Sequence, residues 1–144
     1  MSESTAVKNL LKGGEFLVKD TNFMDVFTPE DLNEEQQMIV DSTVSFIESE
    51  ILPVYPRIEK QEPGLTESLL EKAGELGLLG LAIPEEYGGL GKDFNTNSLL
   101  VENMAKSRSF SLSLGAHIGI GTLPIVYFGN EQQKSYYLPK LASG

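Results

Sequence analysis

His117 is the single imidazole among 144 residues, and no cysteine accompanies it. A histidine can act as a general base or polarise a carbonyl, because its proton is exchanged near neutral pH. That work needs an orienting acid, and no nearby carboxylate completes a triad in sequence, so the pattern favours a hydrogen-bonded, buried structural histidine. Two adjacent acid pairs, Glu34-Glu35 and Glu85-Glu86, look at first like paired carboxylates. Neighbours one apart point different ways on a helix, and neither pair makes a two-carboxylate site. Gly119-Ile120-Gly121 opens like a dinucleotide fingerprint, but the third glycine position is Pro124 and no strand is clearly placed before it. Gly91-Lys92 resembles the end of a phosphate-binding loop, but that loop's first glycine falls on Glu86 and its hydroxyl residue on Asp93. Without cysteine there is no thiolate, disulfide or Cys-ligated metal, and one histidine cannot make a multi-His site. No self-sufficient active site is legible.

The elements that would carry these residues read as helices. Thr28-Pro29-Glu30-Asp31 has a cap residue, a proline at the first position and early acids. Asn33 to Gln36 repeats a start, and Val40, Val44, Ile47 and Ile51 then share one helical face, with Pro53 and Pro56 expected to end or kink it. A second stripe, Leu69, Leu70, Ala73 and Leu76, begins near Thr66 and stops at Gly77, which suits a left-handed cap. The apolar run 78–83 reads as a buried strand or an extended connector, closed by Pro84, and 87–91 is loop chemistry. Asn95 or Thr96 caps a helix carrying Leu99, Leu100 and Met104. Asn130 and Gln133 open another helix that Pro139 is expected to end. Residues 110–129, FSLSLGAHIGIGTLPIVYFG, carry no formal charge. A buried helix suits them best. A strand period through Phe110, Leu112 and Leu114, and a membrane span with a Gly115/Gly119 small-residue pair, are the alternatives.

Charge narrows the function classes. Eleven Lys and Arg against 21 Asp and Glu leave a net charge of −10. Such a surface opposes phosphate backbones and anionic lipid, so neither nucleic acid nor a polybasic membrane contact is expected. The acids are concentrated in residues 1–72, which hold fifteen of them against six bases, and no basic residue lies between Lys19 and Arg57. The bland reading is a solvated helix face. The first residues lack a basic head with an apolar run and are not Arg-rich, so a cytoplasmic setting is expected.

Two blocks carry a resemblance: ELGLLGLAIPEEYGGLG at 75–91 and LGAHIGIGTLPIVYFGNEQQKSYYLPKLASG at 114–144. Together they resemble the N-terminal helical domain of the acyl-CoA dehydrogenase family over 28–144, behind a leader at 1–27. The LGAH block, the YLPKLASG ending and the leader segment from Lys12 to Leu17 look most like the long- and very-long-chain branch in its bacterial form.

The resemblance implies an all-α domain. It also implies a whole enzyme with FAD, a middle β domain and a C-terminal helical domain, desaturating a fatty acyl-CoA between Cα and Cβ in β-oxidation. Electrons then pass to an electron-transfer flavoprotein, and the enzyme is a homo-oligomer. In such a protein this domain walls the acyl pocket and braces the flavin site. Leu112, Gly115, Ala116, Gly119 and Ile120 are the expected acyl-pocket residues, small side chains there deepening a groove or permitting close helix packing. The Tyr87 loop is expected to set the chain path, and Tyr127, Tyr136 and Tyr137 to pack helices. No residue takes the catalytic or flavin-contacting roles, and no metal is expected. The 144 residues read as a fragment that alone holds no FAD and is inactive. A stand-alone helical module for acyl groups or a partner protein, and the same domain of an acyl-CoA oxidase or flavin monooxygenase, are the competing readings.

Overall fold

The computed structural model describes Leu11 and residues 13–144; Lys12 and the earlier part of the expected leader lie outside the described residues. The chain divides into two compact units at Glu34/Glu35. In the first, three single 3-10 turns follow one another, at Glu15–Leu17, Phe23–Asp25 and Pro29–Asp31. The start at Thr28 is real: its backbone N–H donates to the Asp31 carboxylate at 3.0 Å. It yields one turn only, because Leu32 is already extended.

The second unit is helical, with no strand among the described residues. Helix α1 (Glu34–Phe46) runs on through a π-helical turn (Ile47–Ile51) and a 3-10 turn into α2 (Tyr55–Ile58). Pro53 and Pro56 therefore do not end the helix. A proline lacks an N–H and crowds the carbonyl four residues back, and the widened turn just ahead of Pro53 absorbs that misfit. The buried line is Gln36, Thr43, Phe46, Ile47 and Ile51, while Val40 and Val44 are only half-buried.

Helix α3 (Leu65–Glu75) buries Leu69 and Ala73 as its stripe requires, but Leu76 is 52% exposed. Gly77 then takes a φ of 75°. Residues 78–83 are a chain of turns rather than a strand, with Leu78, Leu79, Leu81 and Ile83 buried. The loop that follows folds back on them: Leu90 N–H donates to Gly80, Gly91 to Ile83 and Lys92 to Leu81. The return requires Gly89, where a Cβ would lie 2.0 Å from the Ile83 carbonyl oxygen.

Helix α4 (Phe94–Met104) is capped by Asp93, not by Asn95 or Thr96. Thr96 sits inside the first turn, and its backbone N–H donates to the Asp93 carboxylate at 2.8 Å. Next come α5 (Phe110–Gly115), a π-helical turn (Ala116–Gly121) and α6 (Leu123–Phe128). The 110–128 stretch is thus helical, as favoured. It is not a buried helix, since Leu112, Ile120 and Phe128 are 78%, 82% and 87% exposed. By length and composition it is the one helix among the described residues apolar enough to cross a membrane.

Helix α7 (Glu131–Ser143) has the expected Asn130/Gln133 capping box, and it continues through Pro139. One core joins Phe46, Ile51, Leu69, Leu79, Leu100, Met104, Phe110 and Leu114; a second joins Ile83 and Tyr87 to Leu138 and Ala142. Helices α3 and α7 approach so closely that a Cβ on Gly74 would meet the Ser143 carbonyl oxygen at 2.2 Å.

Candidate functional site

Helix α4 turns Leu100 and Met104 into the main core. A flanking side, bearing Phe94, Asn97, Ser98, Val101 and Glu102, follows helical spacing and faces open space. The cap at Asp93 and a buried hydrogen bond from Gln36 Nε2 to Thr96 Oγ1, 3.1 Å long, hold the helix's start against α1. Thr96 also donates its hydroxyl to Asp93, and these contacts hold the Asp93 carboxyl below the usual carboxylate range. Across from α4 lie Gly115, Ile118, Gly119, Leu123 and Tyr127, on the helical stretch from α5 to α6. Between them runs a groove of about 590 Å³, also lined by Ala82 and Lys92. Lys92 is ion-paired with Glu35 at 2.7 Å.

Two of the five expected pocket residues, Gly115 and Gly119, line this groove. A Cβ on either would meet no atom within 4 Å. Close helix packing therefore does not explain them; their missing side chains hollow the groove. The other three lie elsewhere. Leu112, Ala116 and Ile120 are spaced by four and share a separate, exposed line of the helix, about 100° from the glycine line. Leu112 borders a different depression, beside Glu59, Glu62 and Glu67. The groove residues missed in the sequence come mainly from α4. Their signal was the spacing 94, 97, 98, 101 and 102, which puts Phe94 and Val101 on a face flanking that of Leu100 and Met104.

The titratable groups nearby are structural. His117 is half-buried, and its Nε2 donates to the Leu141 carbonyl at 2.7 Å, which fixes the proton on that nitrogen. The expected hydrogen bond is present, but the ring is half-buried rather than buried. Tyr87 is buried and donates its hydroxyl to Glu131 at 2.7 Å. That bond, with burial and the nearby negative charge, pushes its phenol up to about 12. It ties the 84–88 turn to α7, in keeping with a loop that sets the chain path. Tyr127, Tyr136 and Tyr137 are instead exposed: Tyr136 and Tyr137 stack on each other edge to face, and Tyr127 rims the groove. An apolar channel with few polar groups on its rim can bind and measure a hydrocarbon chain, but it holds no acid–base pair for chemistry.

Residues 33–144 match the sequence profile of the acyl-CoA dehydrogenase N-terminal domain. The chain belongs to the acyl-CoA dehydrogenase family. A probable acyl-CoA dehydrogenase of Bacillus subtilis is 52% identical over 133 residues, covering 92% of this chain and 22% of the relative. The crystal structure of an acyl-CoA dehydrogenase complexed with FAD from Bacillus anthracis superposes with a TM-score of 0.86 at 49% identity, over 92% of this chain and 23% of that one. The mitochondrial isovaleryl-CoA dehydrogenase of Bos taurus is 37% identical over 115 residues, 78% of this chain and 27% of the relative. The chain thus spans about a quarter of the relatives it matches. These likenesses fix the family and the all-α N-terminal domain; they do not single out its long- and very-long-chain branch.

The Bacillus anthracis relative is complexed with FAD, which a flavin site in this chain would have to meet with polar groups. Among the described residues, no buried side-chain nitrogen or oxygen lacks a hydrogen-bond partner. A flavin presents many donors and acceptors, and no buried side-chain atom among the described residues is left unpaired to meet them.

Proposed function

We propose that this chain supplies the acyl-chain wall of an FAD-dependent acyl-CoA dehydrogenase, which desaturates a fatty acyl-CoA at Cα–Cβ in β-oxidation, and that the groove between α4 and the 110–128 helix receives the acyl tail. The observation that carries the reading is the pair Gly115 and Gly119, whose absent side chains open the groove although nothing packs against them. Its floor and walls offer Ile118, Leu123, Val101 and Phe94 to methylenes, each worth about 0.8 kcal/mol when buried. A groove with two glycines along its length accommodates a long tail, which supports preference for long acyl chains.

The flavin supplies the redox chemistry when bound. The residues of this chain bind and orient the tail and exclude water from it. On this reading the electrons leave to an electron-transfer flavoprotein, the whole enzyme is a homo-oligomer, and it works in the bacterial cytoplasm. The family membership supports the first two assignments, and the absence of cysteine agrees with the last. The 144 residues alone hold no FAD and are inactive, with stoichiometric yellow protein after desalting as the contrary result.

The test is a series of saturated acyl-CoA substrates with the full-length, FAD-loaded enzyme. kcat/KM rises with each added methylene until the groove is filled. A profile already falling beyond short acyl groups refutes the long-chain assignment.

A further inference from the structure

The groove's shape depends on which residue of the 116–121 turn faces it. Six residues here adopt the wide π-helical turn. Were they to relax to α-helical register, the following residues would rotate by about 100° per residue of slip. Gly119 would leave the groove, and the side chain of Ile118 or Ile120 would swing toward its place.

Three features hold the wide turn. The ring of Pro124 would crowd the Ile120 carbonyl, four residues back, in the tighter register. The Thr122 hydroxyl donates to the His117 carbonyl at 2.7 Å, inside the turn, and Thr122 is buried. The His117 ring then reaches out of its own helix to the Leu141 carbonyl of α7. Helix α7 is itself fixed, by Leu138 and Ala142 in the second core and by Glu131 accepting from Tyr87. The first two features favour a wide turn; its rotation against the rest of the fold is set by Ile118 packing on the main core and Ile125 and Val126 on the second, together with the ring bond to α7.

We propose that His117 is a positioning residue for acyl-chain length: its bond to α7 holds the turn in the rotation that leaves Gly119 lining the groove. The proposal rests on the groove being the acyl site. His117 touches no substrate, and its effect passes through Gly119.

The test uses the full-length holoenzyme with His117→Ala, His117→Gln and Gly119→Leu, each assayed over the acyl-CoA length series. Gln carries an amide N–H at about the reach of the ring Nε2, so it can restore the bond. His117→Ala lowers kcat/KM for the longest acyl groups roughly ten-fold, chiefly through KM, as expected for one hydrogen bond's worth of positioning. It leaves kcat for the shortest substrates and the flavin content unchanged, and His117→Gln recovers most of the loss. A uniform fall at every chain length, as a merely destabilised fold gives, overturns the proposal. So does an unchanged profile, or a Gln variant no better than Ala. Gly119→Leu separates the two layers: if it reshapes the profile and His117→Ala does not, only the role of His117 falls. If Gly119→Leu leaves the profile intact, the groove is not the acyl site and both readings fall.

Discussion

Leucine at position 119 is the sharpest probe of the groove. Gly119 has no atom within 4 Å of where a Cβ would stand, and its φ is not in the left-handed region. The new side chain therefore enters open space rather than a neighbour. Helix propensity does not oppose the change, because Gly is roughly 1 kcal/mol worse than Leu or Ala in a helix. The fold survives, and the cost appears in binding. Leucine adds four carbons to a groove of about 590 Å³. It displaces about as many methylenes of any tail that reaches that far, and at about 0.8 kcal/mol each the loss is roughly 3 kcal/mol. That corresponds to about a hundred-fold in kcat/KM for long acyl-CoAs, and to none for tails too short to reach residue 119. The assay is kcat/KM over the substrate series with an artificial electron acceptor, beside the Tm of the variant. A loss spread evenly over all chain lengths refutes the reasoning, as does no loss in an enzyme of unchanged Tm.

Gly89→Ala drives a methyl into the Ile83 carbonyl, and overpacking of this kind costs about 1–3 kcal/mol, read as a lower midpoint in denaturant unfolding. An unchanged midpoint counts against the close approach. Asp93→Ala removes the α4 cap and costs about 1 kcal/mol in the same experiment. Because the folded Asp93 carboxyl is depressed, its contribution is present above its unfolded value and disappears as pH falls through the folded one, so the wild type loses more stability in acid than the variant does. Tyr87 runs the other way. Its folded phenol is raised to about 12, so its contribution is complete below the ordinary tyrosine value and is lost as pH climbs through about 12. Tyr87→Phe therefore flattens the alkaline fall in stability between those values, and an alkaline limb identical to wild type contradicts the Tyr87–Glu131 bond.

Helix starts were legible where a side chain and a backbone N–H sit three residues apart, as at Asn130 and Gln133. They were misplaced where three candidates compete. Asp93, Asn95 and Thr96 can all cap, and the choice fell to Asp93 because Thr96 is drawn inward to Gln36, sixty residues away. Pro53, Pro56 and Pro139 were read as ends or kinks by their local chemistry, yet the helix passes Pro139, and at Pro53 a π-helical turn just upstream lets it pass. Nothing local announces that turn. The two groove glycines entered through the family resemblance, which named Leu112, Ala116 and Ile120 beside them although these three lie on another line of the helix. The opposite wall was not legible, because Asn97, Ser98 and Glu102 read as an ordinary wet face of α4 until the fold lays it beside Ile118 and Leu123.

The uncharged stretch 110–128 shows what separates a lipid tail from a lipid bilayer as its partner, since both offer the same apolar burial. Phe110 and Leu114 are committed to the main core, Thr122 is buried, and His117 is bonded to α7. A membrane crossing would have to break all of these contacts and strand the half-buried ring in hydrocarbon. The groove face is not bare either: α4 brings Asn97 and Glu102 to it, and the ion-paired Lys92, just before α4, lines it too. A charged side chain at bilayer depth costs about 2.5–3.5 kcal/mol even on the mildest scale. A single chain of methylenes lying in the groove meets Val101, Ile118, Leu123 and the two glycines, and leaves those charges in water. The same sequence feature that first suggests a membrane span therefore favours one hydrocarbon tail over a bilayer.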